Sequence, residues 1–226
     1  MYLLLKAPFA AFRSFQSGSF RSTTPIPAPS TIYGLLLNLA GIEQRTATEE
    51  PITLIKKAEE LPQMDIAIAS LKPSETVVLS QQLHSYPVGN SGKKDLAPRT
   101  HGAKYWISQV RREVLIDLEL IIGVRAENDF CDRMKQGLNG ELQGDRYGLP
   151  FAGDNNFIFD DIQVLTSPPM ARWYSPIEDD SPPSRGKCRL TTWIDRADNT
   201  KTKTKIFAPT DFALQPPKSA WINLPC

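Results

Sequence analysis

The sequence predicts an α+β fold with a split βαβ arrangement, on three observations. Apolar runs with strand character recur through residues 1–167, and two segments with helical spacing separate them. Their order is strand, helix, strand, strand, helix, strand. This is the ferredoxin-like (RRM-like) βαββαβ order, which RNA-recognition domains also use. Pro168-Pro169 marks a boundary, beyond which residues 168–226 are predicted to form a small β-rich C-terminal extension.

The first strand and the first helix are the clearest elements. Tyr2–Ala7 is an apolar run that ends before Pro8, as a buried strand would. The helix is predicted to begin at Ser30, whose side chain suits an N-cap, and to end at Gly41. Its apolar residues recur with helical spacing at Ile32, Leu35, Leu36 and Leu39. The first N–H groups of this helix would add a local anion site.

The other elements follow from apolar patterning and from turn residues. A second helix is predicted over Glu127–Leu138, with Gly140 after its end. Strands are predicted at Met64–Leu71, Thr76–Leu83, Glu113–Val124 and Phe157–Leu165, and in the extension at Cys188–Asp195 and Lys203–Ala208.

The composition is that of an ordinary folded chain. Of the 226 residues, 41% are hydrophobic and 23% are charged, so the chain has enough apolar side chains for a core and no excess of charge typical of disorder. The net charge at pH 7 is only +1. A site for a polyanion must therefore come from local clustering of basic residues.

Signatures of common enzyme classes are missing from the sequence. It contains no Walker loop, no dinucleotide fingerprint and no GxSxG elbow. The three cysteines and two histidines lack metal-ligand spacing, so we predict no metal, no cofactor and no catalytic residue. We expect the paired acids Asp160-Asp161 and Asp179-Asp180 to be solvated. We also expect a cytoplasmic protein without a membrane span, because Lys6 interrupts the apolar start.

A basic and aromatic segment without any carboxylate, residues 9–29, gives the first binding signal. It carries Arg13 and Arg21 beside Phe12, Phe15 and Phe20. Guanidinium groups bind phosphate and aromatic faces stack on unpaired bases, so this composition predicts a contact with single-stranded RNA. The alternative is that the phenylalanines pack in the core.

A polar insertion over about 84–112 gives the second signal and is predicted to form a thumb hairpin. Asp95 is the only acid in it. Its candidate RNA contacts are Lys93, Lys94, Arg99, His101, Lys104, Trp106 and Arg111. A basic hairpin with an aromatic tip suits wedging against a nucleic-acid strand, and a solvated charged loop is the alternative.

A glycine-rich loop over 137–153 gives the third signal. Glycines permit positive φ and close backbone approach, so that N–H groups can line an anion. The candidate contacts are Gly144, Arg146, Tyr147 and Gly148. We predict that all three segments converge on one cationic cleft for unpaired RNA.

The opening of the chain resembles a known family. Phe12-Arg13-Ser14 follows the first strand, and PIPAPSTIYGLL follows at 25–36. This is similar to the N-terminus of the CRISPR-associated Cas-five family of the RAMP superfamily. Its members begin with a strand, a loop carrying a basic residue, a Pro-[Ser/Thr] entry and a Gly-Leu-Leu helix. The insertion and the glycine-rich loop stand where that family has its thumb and its own glycine-rich loop.

The resemblance implies a non-catalytic subunit of a type I CRISPR Cascade complex that holds the 5′ handle of the guide RNA (crRNA). It also implies contacts with the backbone subunit and the large subunit, and with target DNA through the complex. The thumb would wedge beside the RNA. The residues that would face or support the handle are Arg13, Ser14, Ser30 and Thr31, with Gly144, Arg146 and Gly148.

An alternative function stays open, namely metal-independent cleavage of precursor guide RNA. His101 lies near Lys104 and Tyr105, residue types capable of general acid–base cleavage. One branch of the family that the chain resembles cleaves RNA with a tyrosine, a lysine and a histidine. The adjacent Lys-His order of that branch is missing here, so we expect a separate endonuclease to process the precursor.

Overall fold

The computed structural model describes residues 1–14, 20–46, 54–56, 58–85, 106–144, 146–178, 186–195 and 198–226. At 54–55, 58, 83–85, 106–108 and 199 it describes the backbone alone. Within these ranges the chain forms a mixed α+β fold, in which a large and mainly antiparallel sheet carries two α-helices. No helix in the described ranges is long and apolar enough to cross a membrane.

The elements have the following bounds. The α-helices are α1 (Pro29–Leu39) and α2 (Asn128–Asn139). The strands are β1 (Tyr2–Ala10), β2 (Phe20–Arg21), β3 (Arg45–Thr46), β4 (Leu54–Ile55), β5 (Met64–Ser70), β6 (Glu75–Ser85), β7 (Trp106–Arg125), β8 (Asp161–Leu165), β9 (Ala171–Ile177), β10 (Cys188–Trp193), β11 (Lys203–Ala213) and β12 (Ile222–Leu224). Strands β3 and β4 pair with each other, apart from the large sheet.

The centre of the large sheet has the strand order β8-β1-β7-β5, with every neighbouring pair antiparallel. On β1, Leu5 is opposite Leu120 of β7 on one side and Ile162 of β8 on the other. Helix α1 comes between β1 and β5 in the chain, and α2 connects β7 to β8. The elements β1, α1, β5, β7, α2 and β8 thus follow one another in the predicted order, and β2, β3, β4 and β6 are additional strands between them.

Alternating residues of β1 face two different cores. Leu3 and Leu5 are fully buried in the cluster that contains the apolar residues of α1 and α2. Tyr2 and Leu4 pack against the cluster on the opposite face, where Trp173 is fully buried. This is the period of two that a strand imposes on its side chains, and it means that both faces of the central sheet are covered.

The start of α1 corrects one prediction, because Ser30 is not the N-cap. The helix begins at Pro29 and Ala28 is its N-cap residue, without a side-chain cap. Proline suits the first helical position since its ring presets φ and its missing N–H needs no partner there. The Ser30 hydroxyl instead donates to the carbonyl oxygen of Thr191 at 3.0 Å, which fastens α1 to β10. At the end of α2, Gly140 has the expected left-handed conformation, with φ of 76°.

Strands β6 and β7 form a long two-stranded arm, which includes the predicted strand Thr76–Leu83 and both ends of the predicted insertion. Their register runs from Glu75 opposite Ile116 to Ser85 opposite Trp106. Strand β7 begins at Trp106 and not at the predicted Glu113, because the last residues of the predicted insertion are part of the strand. Asp117, with φ of 48°, separates the part of β7 that pairs with β6 from the part that pairs with β5. Residues 86–105, between the two strands of the arm, lie outside the described ranges.

Residues 168–226 add β9, β10, β11 and β12 to the same sheet. Trp173 of β9 is opposite Ala69, and Ile222 of β12 is opposite Ile66, so β5 pairs with both strands. We did not predict β9 and β12, because Pro176 and Pro225 suggested irregular backbone there. Pro176 is nevertheless part of the β9 ladder, opposite Phe207.

Candidate nucleic-acid interface

Arg13, Arg21 and Arg111 lie on neighbouring segments at the base of the arm. Arg13 forms a β-bridge with Thr23, and Arg21 is opposite Arg112 in the parallel pair of β2 and β7. Neighbouring strands are about 4.8 Å apart, so the backbones of the three residues lie close together. Because side chains alternate along a strand, Arg21 projects from the opposite face of the sheet to Arg111. Arg13 and Arg111 are exposed and Arg21 is half-buried. None of the three forms an ion pair with any residue that the structure describes. We call them the arm-base arginines.

An exposed aromatic ring accompanies the arm-base arginines. Phe20 is 41% exposed and is the direct partner of Arg111 in the parallel ladder. Partners in a ladder project from the same face, so the ring and a guanidinium group stand side by side. Phe12 differs, because it is 5% exposed and belongs to the core, as the alternative interpretation predicted for some phenylalanines. Phe15 lies outside the described residues.

Short polar contacts fix the backbone that carries these side chains. The Ser14 and Ser22 hydroxyl groups are hydrogen-bonded at 2.5 Å. The backbone N–H of Phe12 donates to Thr23 Oγ1 at 2.9 Å, and the N–H of Thr23 donates to Glu113 Oε2 at 3.0 Å. Ser14, predicted to contact RNA, thus has an internal partner and helps to hold Arg13 in place.

A buried ion pair joins the arm to the end of the glycine-rich loop. Arg112 Nη2 lies 2.6 Å from Asp154 Oδ2, and the two side chains are 13% and 14% exposed. Burial alone would raise the pKa of Asp154. The hydrogen bonds from Asn156 and the charge of Arg112 outweigh it, so the pKa of Asp154 lies below its usual value. Arg112 is therefore neutralised within the protein, unlike Arg111 beside it.

The glycines of the loop have two different tasks. A Cβ on Gly137 would lie 1.7 Å from the carbonyl oxygen of Leu39, so this glycine lets α2 cross α1 closely. A Cβ on Gly153 would lie 2.3 Å from the carbonyl oxygen of Ala11. Gly144 and Gly148 have positive φ and open space around them, as a backbone available to a ligand requires. Gly140, at the end of α2, has the same positive φ and open surroundings.

Tyr147 is a braced and exposed ring. It is 67% exposed, and the Arg45 guanidinium lies 3.1 Å from its ring centroid. Glu43 accepts two hydrogen bonds from Arg45, at 2.9 and 2.6 Å, and this contact lowers the pKa of Glu43 to about 2. A stacking surface of this kind suits an unpaired base. Sequence reasoning missed Glu43 and Arg45, because they lie far from Tyr147 in the chain and form no motif with it.

Arg146 has a structural contact. Its Nη2 donates to the carbonyl oxygen of Gly137 at 2.7 Å, near the end of α2. Asn38 Nδ2, near the end of α1, donates to the carbonyl oxygen of Tyr147 at 2.9 Å. These two bonds tie the loop to the ends of both helices. Arg146 thus has a partner inside the protein, whereas the arm-base arginines form no ion pair with a described residue.

The predicted contacts fall into separate groups in the structure. Ser30 and Thr31 lie at the start of α1, and Arg146 and Tyr147 lie at its other end. The helix has 11 residues, so its ends are about 16 Å apart. Arg13 and the base of the arm do lie together. Of the predicted thumb contacts, Lys93, Lys94, Arg99, His101 and Lys104 lie outside the described residues, and Trp106 is described by its backbone alone.

Metal and thiol chemistry have little support in the described ranges. These contain no group of three or more His, Cys, Asp or Glu side chains placed to hold a metal ion. The cysteines Cys131, Cys188 and Cys226 are free. Burial raises the pKa of Cys188 to about 12, which keeps its thiol protonated and unreactive.

Comparisons with known proteins agree with the family resemblance. A family model described as CRISPR-associated protein (Cas_Cas5) matches residues 1–153. None of the curated proteins matches the chain. A chain of a "CRISPR RNA-guided surveillance complex" has a TM-score of 0.57 at 13% identity and covers 97% of this chain and 95% of its own. A structure described as "Crystal structure of Cas protein" has a TM-score of 0.52 at 11% identity and covers 93% of both chains.

At such identities the two solved structures show a shared fold. The family model goes further, because it spans the arm-base arginines, both helices and the whole glycine-rich loop. The chain therefore belongs to the CRISPR-associated Cas5 family.

Proposed function

We propose that this chain is a non-catalytic subunit of a CRISPR ribonucleoprotein and holds the 5′ handle of the guide RNA. The arm-base arginines with the exposed Phe20 carry this proposal. Guanidinium contacts to phosphate and stacking of bases on an aromatic ring are the two interactions that hold single-stranded RNA. Arg111 and Phe20 offer both on one face of the ladder, and Arg13 and Arg21 lie on neighbouring segments, within the part of the chain that matches the family model.

We infer that the central sheet has the ferredoxin-like topology. The antiparallel order β8-β1-β7-β5 supports it, since β7 lies between β1 and β5, and β1 lies between β7 and β8. Each helix then connects two strands that are separated by one other strand, as in a split βαβ unit. Contact between α1 and α2, which share one core, also fits this topology.

We infer that the arm reaches a neighbouring subunit. In the described ranges β6 pairs with β7 alone, so its outer edge has no partner strand there. Val78 and Leu79 on this strand are 53% and 38% exposed. Exposed edges with apolar side chains are usually covered by another element or chain. This supports an assembly in which the backbone subunit contacts the arm. The large subunit would contact the chain elsewhere, and target DNA would be reached through the complex.

Replacing all three arm-base arginines with alanine (Arg13→Ala, Arg21→Ala, Arg111→Ala) is expected to weaken handle RNA binding by tenfold or more, because three phosphate partners are lost. Each contact to a single strand contributes about 0.7 to the slope of log affinity against log salt, so the slope should fall by about 2. Fluorescence anisotropy with a labelled handle RNA over a range of salt concentrations measures both changes.

The matched control removes the same charge elsewhere. Lys72→Ala, Lys135→Ala and Lys218→Ala change exposed lysines on other elements and should leave the salt slope as in the unchanged protein. An equal loss in both triple variants would mean that net charge alone holds the RNA, against the proposal. In a separate gel assay, the unchanged protein incubated with precursor RNA and a chelator should leave the RNA intact. Specific cleavage would instead support the endonuclease alternative.

Phe20→Ala is expected to weaken handle binding by about 1–3 kcal/mol with little change in the salt slope, since stacking is not a counterion effect. Phe212→Ala is the control, because Phe212 is 50% exposed but lies on β11. Fluorescence anisotropy over a range of salt concentrations separates the contribution of stacking from that of phosphate contacts. A fall in slope without a fall in affinity at high salt would contradict a stacking role for Phe20.

A further inference from the structure

Strand β11 opens with a ladder of lysines that the handle-binding surface does not include. The sequence KTKTK at 201–205 places Lys203 and Lys205 on the same face of the strand, with Thr204 between them. Both lysines are exposed. The stretch 199–210 contains no acidic residue. Alternation in a strand thus produces a local row of positive charge on a chain whose net charge is only +1.

The two lysines are exposed beside buried residues of the neighbouring strand β10. Across the strand pair, Lys205 is opposite Leu190 and Lys203 is opposite Trp193, which are 2% and 9% exposed. Lys201, at the start of the ladder, is paired with Asp198 at 3.5 Å. Neither Lys203 nor Lys205 forms an ion pair with any described residue.

We propose that Lys203 and Lys205 bind the phosphate backbone of a DNA duplex. Protein–protein interfaces are depleted in lysine, whereas interfaces with nucleic acid are strongly positive. Lysine binds phosphate as a point charge and needs no aligned partner, which suits contact independent of base sequence. Two equal charges in a row, without an acid between them, match a repeating anion better than the mixed charges of a protein surface.

A duplex fits this face better than a single strand. Single strands are held by aromatic stacking as well as by charge. On β10 and on β11 up to Pro209, the described aromatic side chains are Trp193 and Phe207, and both are buried. Residues two apart in a strand are about 6.8 Å apart, which is the axial rise of two nucleotides in B-form DNA. The arm-base surface has the opposite character, because Phe20 is exposed there.

The lysine ladder is separate from the handle-binding surface. In the strand order, β9 and β5 lie between β11 and β7. A variant can therefore lose duplex binding and keep handle RNA binding, and another variant can lose handle RNA binding and keep duplex binding. The two surfaces would let one subunit hold the guide RNA and contact double-stranded DNA at once.

Lys203→Gln with Lys205→Gln tests the inference in the full-length chain. With a labelled DNA duplex of random sequence, each lost phosphate contact should lower the slope of log affinity against log salt by about 0.9. We therefore expect the slope to fall by about 1.8 and the affinity at low salt to fall by about tenfold. Handle RNA binding and the thermal unfolding midpoint should be unchanged.

The control is Lys72→Gln with Lys135→Gln, which removes the same charge from exposed lysines elsewhere. An unchanged slope in the Lys203 and Lys205 variant, or an equal fall in the control, would overturn the inference. Two competition experiments identify the ligand class. Competition by polyglutamate as strong as that by DNA would indicate an acidic protein partner, and stronger competition by an RNA duplex would exclude DNA as the ligand. The triple arginine variant should still bind the duplex, so failure of one proposal leaves the other testable.

Discussion

Gly137→Ala is expected to lower the free energy of unfolding by about 3 kcal/mol or more. The added Cβ would lie 1.7 Å from the carbonyl oxygen of Leu39 and 2.9 Å from its carbonyl carbon. Both are backbone atoms at the end of α1, so no side chain can rotate away to relieve the contact. The two helices would have to move apart to accommodate the methyl group. Urea unfolding followed by circular dichroism measures the change.

Gly140→Ala provides the matched comparison three residues later. At Gly140 an added Cβ would meet nothing within 4 Å, but φ is 76°. The free energy of unfolding of this variant should therefore fall by about 1–2 kcal/mol, because alanine adopts the left-handed conformation less readily than glycine. Equal losses at Gly137 and Gly140 would show that the helix crossing tolerates a methyl group, contrary to the geometry.

Arg112→Met is expected to cost about 3 kcal/mol of stability at neutral pH. It keeps most of the side-chain volume but leaves the Asp154 carboxylate, which is 14% exposed, without its ion-pair partner. Since this pair connects β7 to the end of the glycine-rich loop, we also expect weaker handle binding. Chemical unfolding and the handle anisotropy assay measure the two effects.

The cost of Arg112→Met should depend on pH in a defined direction. The pKa of Asp154 is lowered from its usual 3.8 in the folded protein. Stability from a lowered carboxyl pKa is complete above the usual value and is lost as the pH falls through the folded-state pKa. The difference in free energy of unfolding between the unchanged protein and the Arg112→Met variant should thus become smaller as the pH falls below 3.8.

Lys72→Met is the surface control for this experiment. Lys72 pairs with Glu119 at 3.3 Å, but the side chains are 47% and 34% exposed. Exposed ion pairs contribute little to stability, so we expect Lys72→Met to lower the free energy of unfolding by less than about 1 kcal/mol. A similar cost for Lys72→Met and Arg112→Met, or a gap that widens in acid, would contradict the role assigned to the buried pair.

Local patterns predicted those features that depend on neighbours in the chain. The apolar run that begins at Tyr2 became β1, and the spacing of Ile32 to Leu39 became the buried side of α1. Gly140 after α2 has the left-handed conformation that ends a helix. Each of these rests on strand or helix periodicity or on the freedom of glycine, which act over a few residues.

Contacts between distant segments could not be predicted in the same way. Arg146 and the arm-base arginines were grouped together by charge, but Arg146 donates to Gly137 and the others have no ion-pair partner in the described ranges. Ser30 was placed as an N-cap by residue type, yet it bonds to Thr191 on β10. Local sequence patterns do not reveal a hydrogen-bond partner that lies far away in the chain.

The sequence by itself determined the main strands and helices, namely β1, α1, β5, β7, α2 and β8, and the family to which the chain belongs. Only the tertiary structure decided which basic side chains lack an ion-pair partner among the described residues, which form internal contacts, and that β11 carries two exposed lysines on one face. Helix and strand periodicity is local and can be detected in one sequence. The availability of a charged group depends on its partners, and folding brings those from elsewhere in the chain.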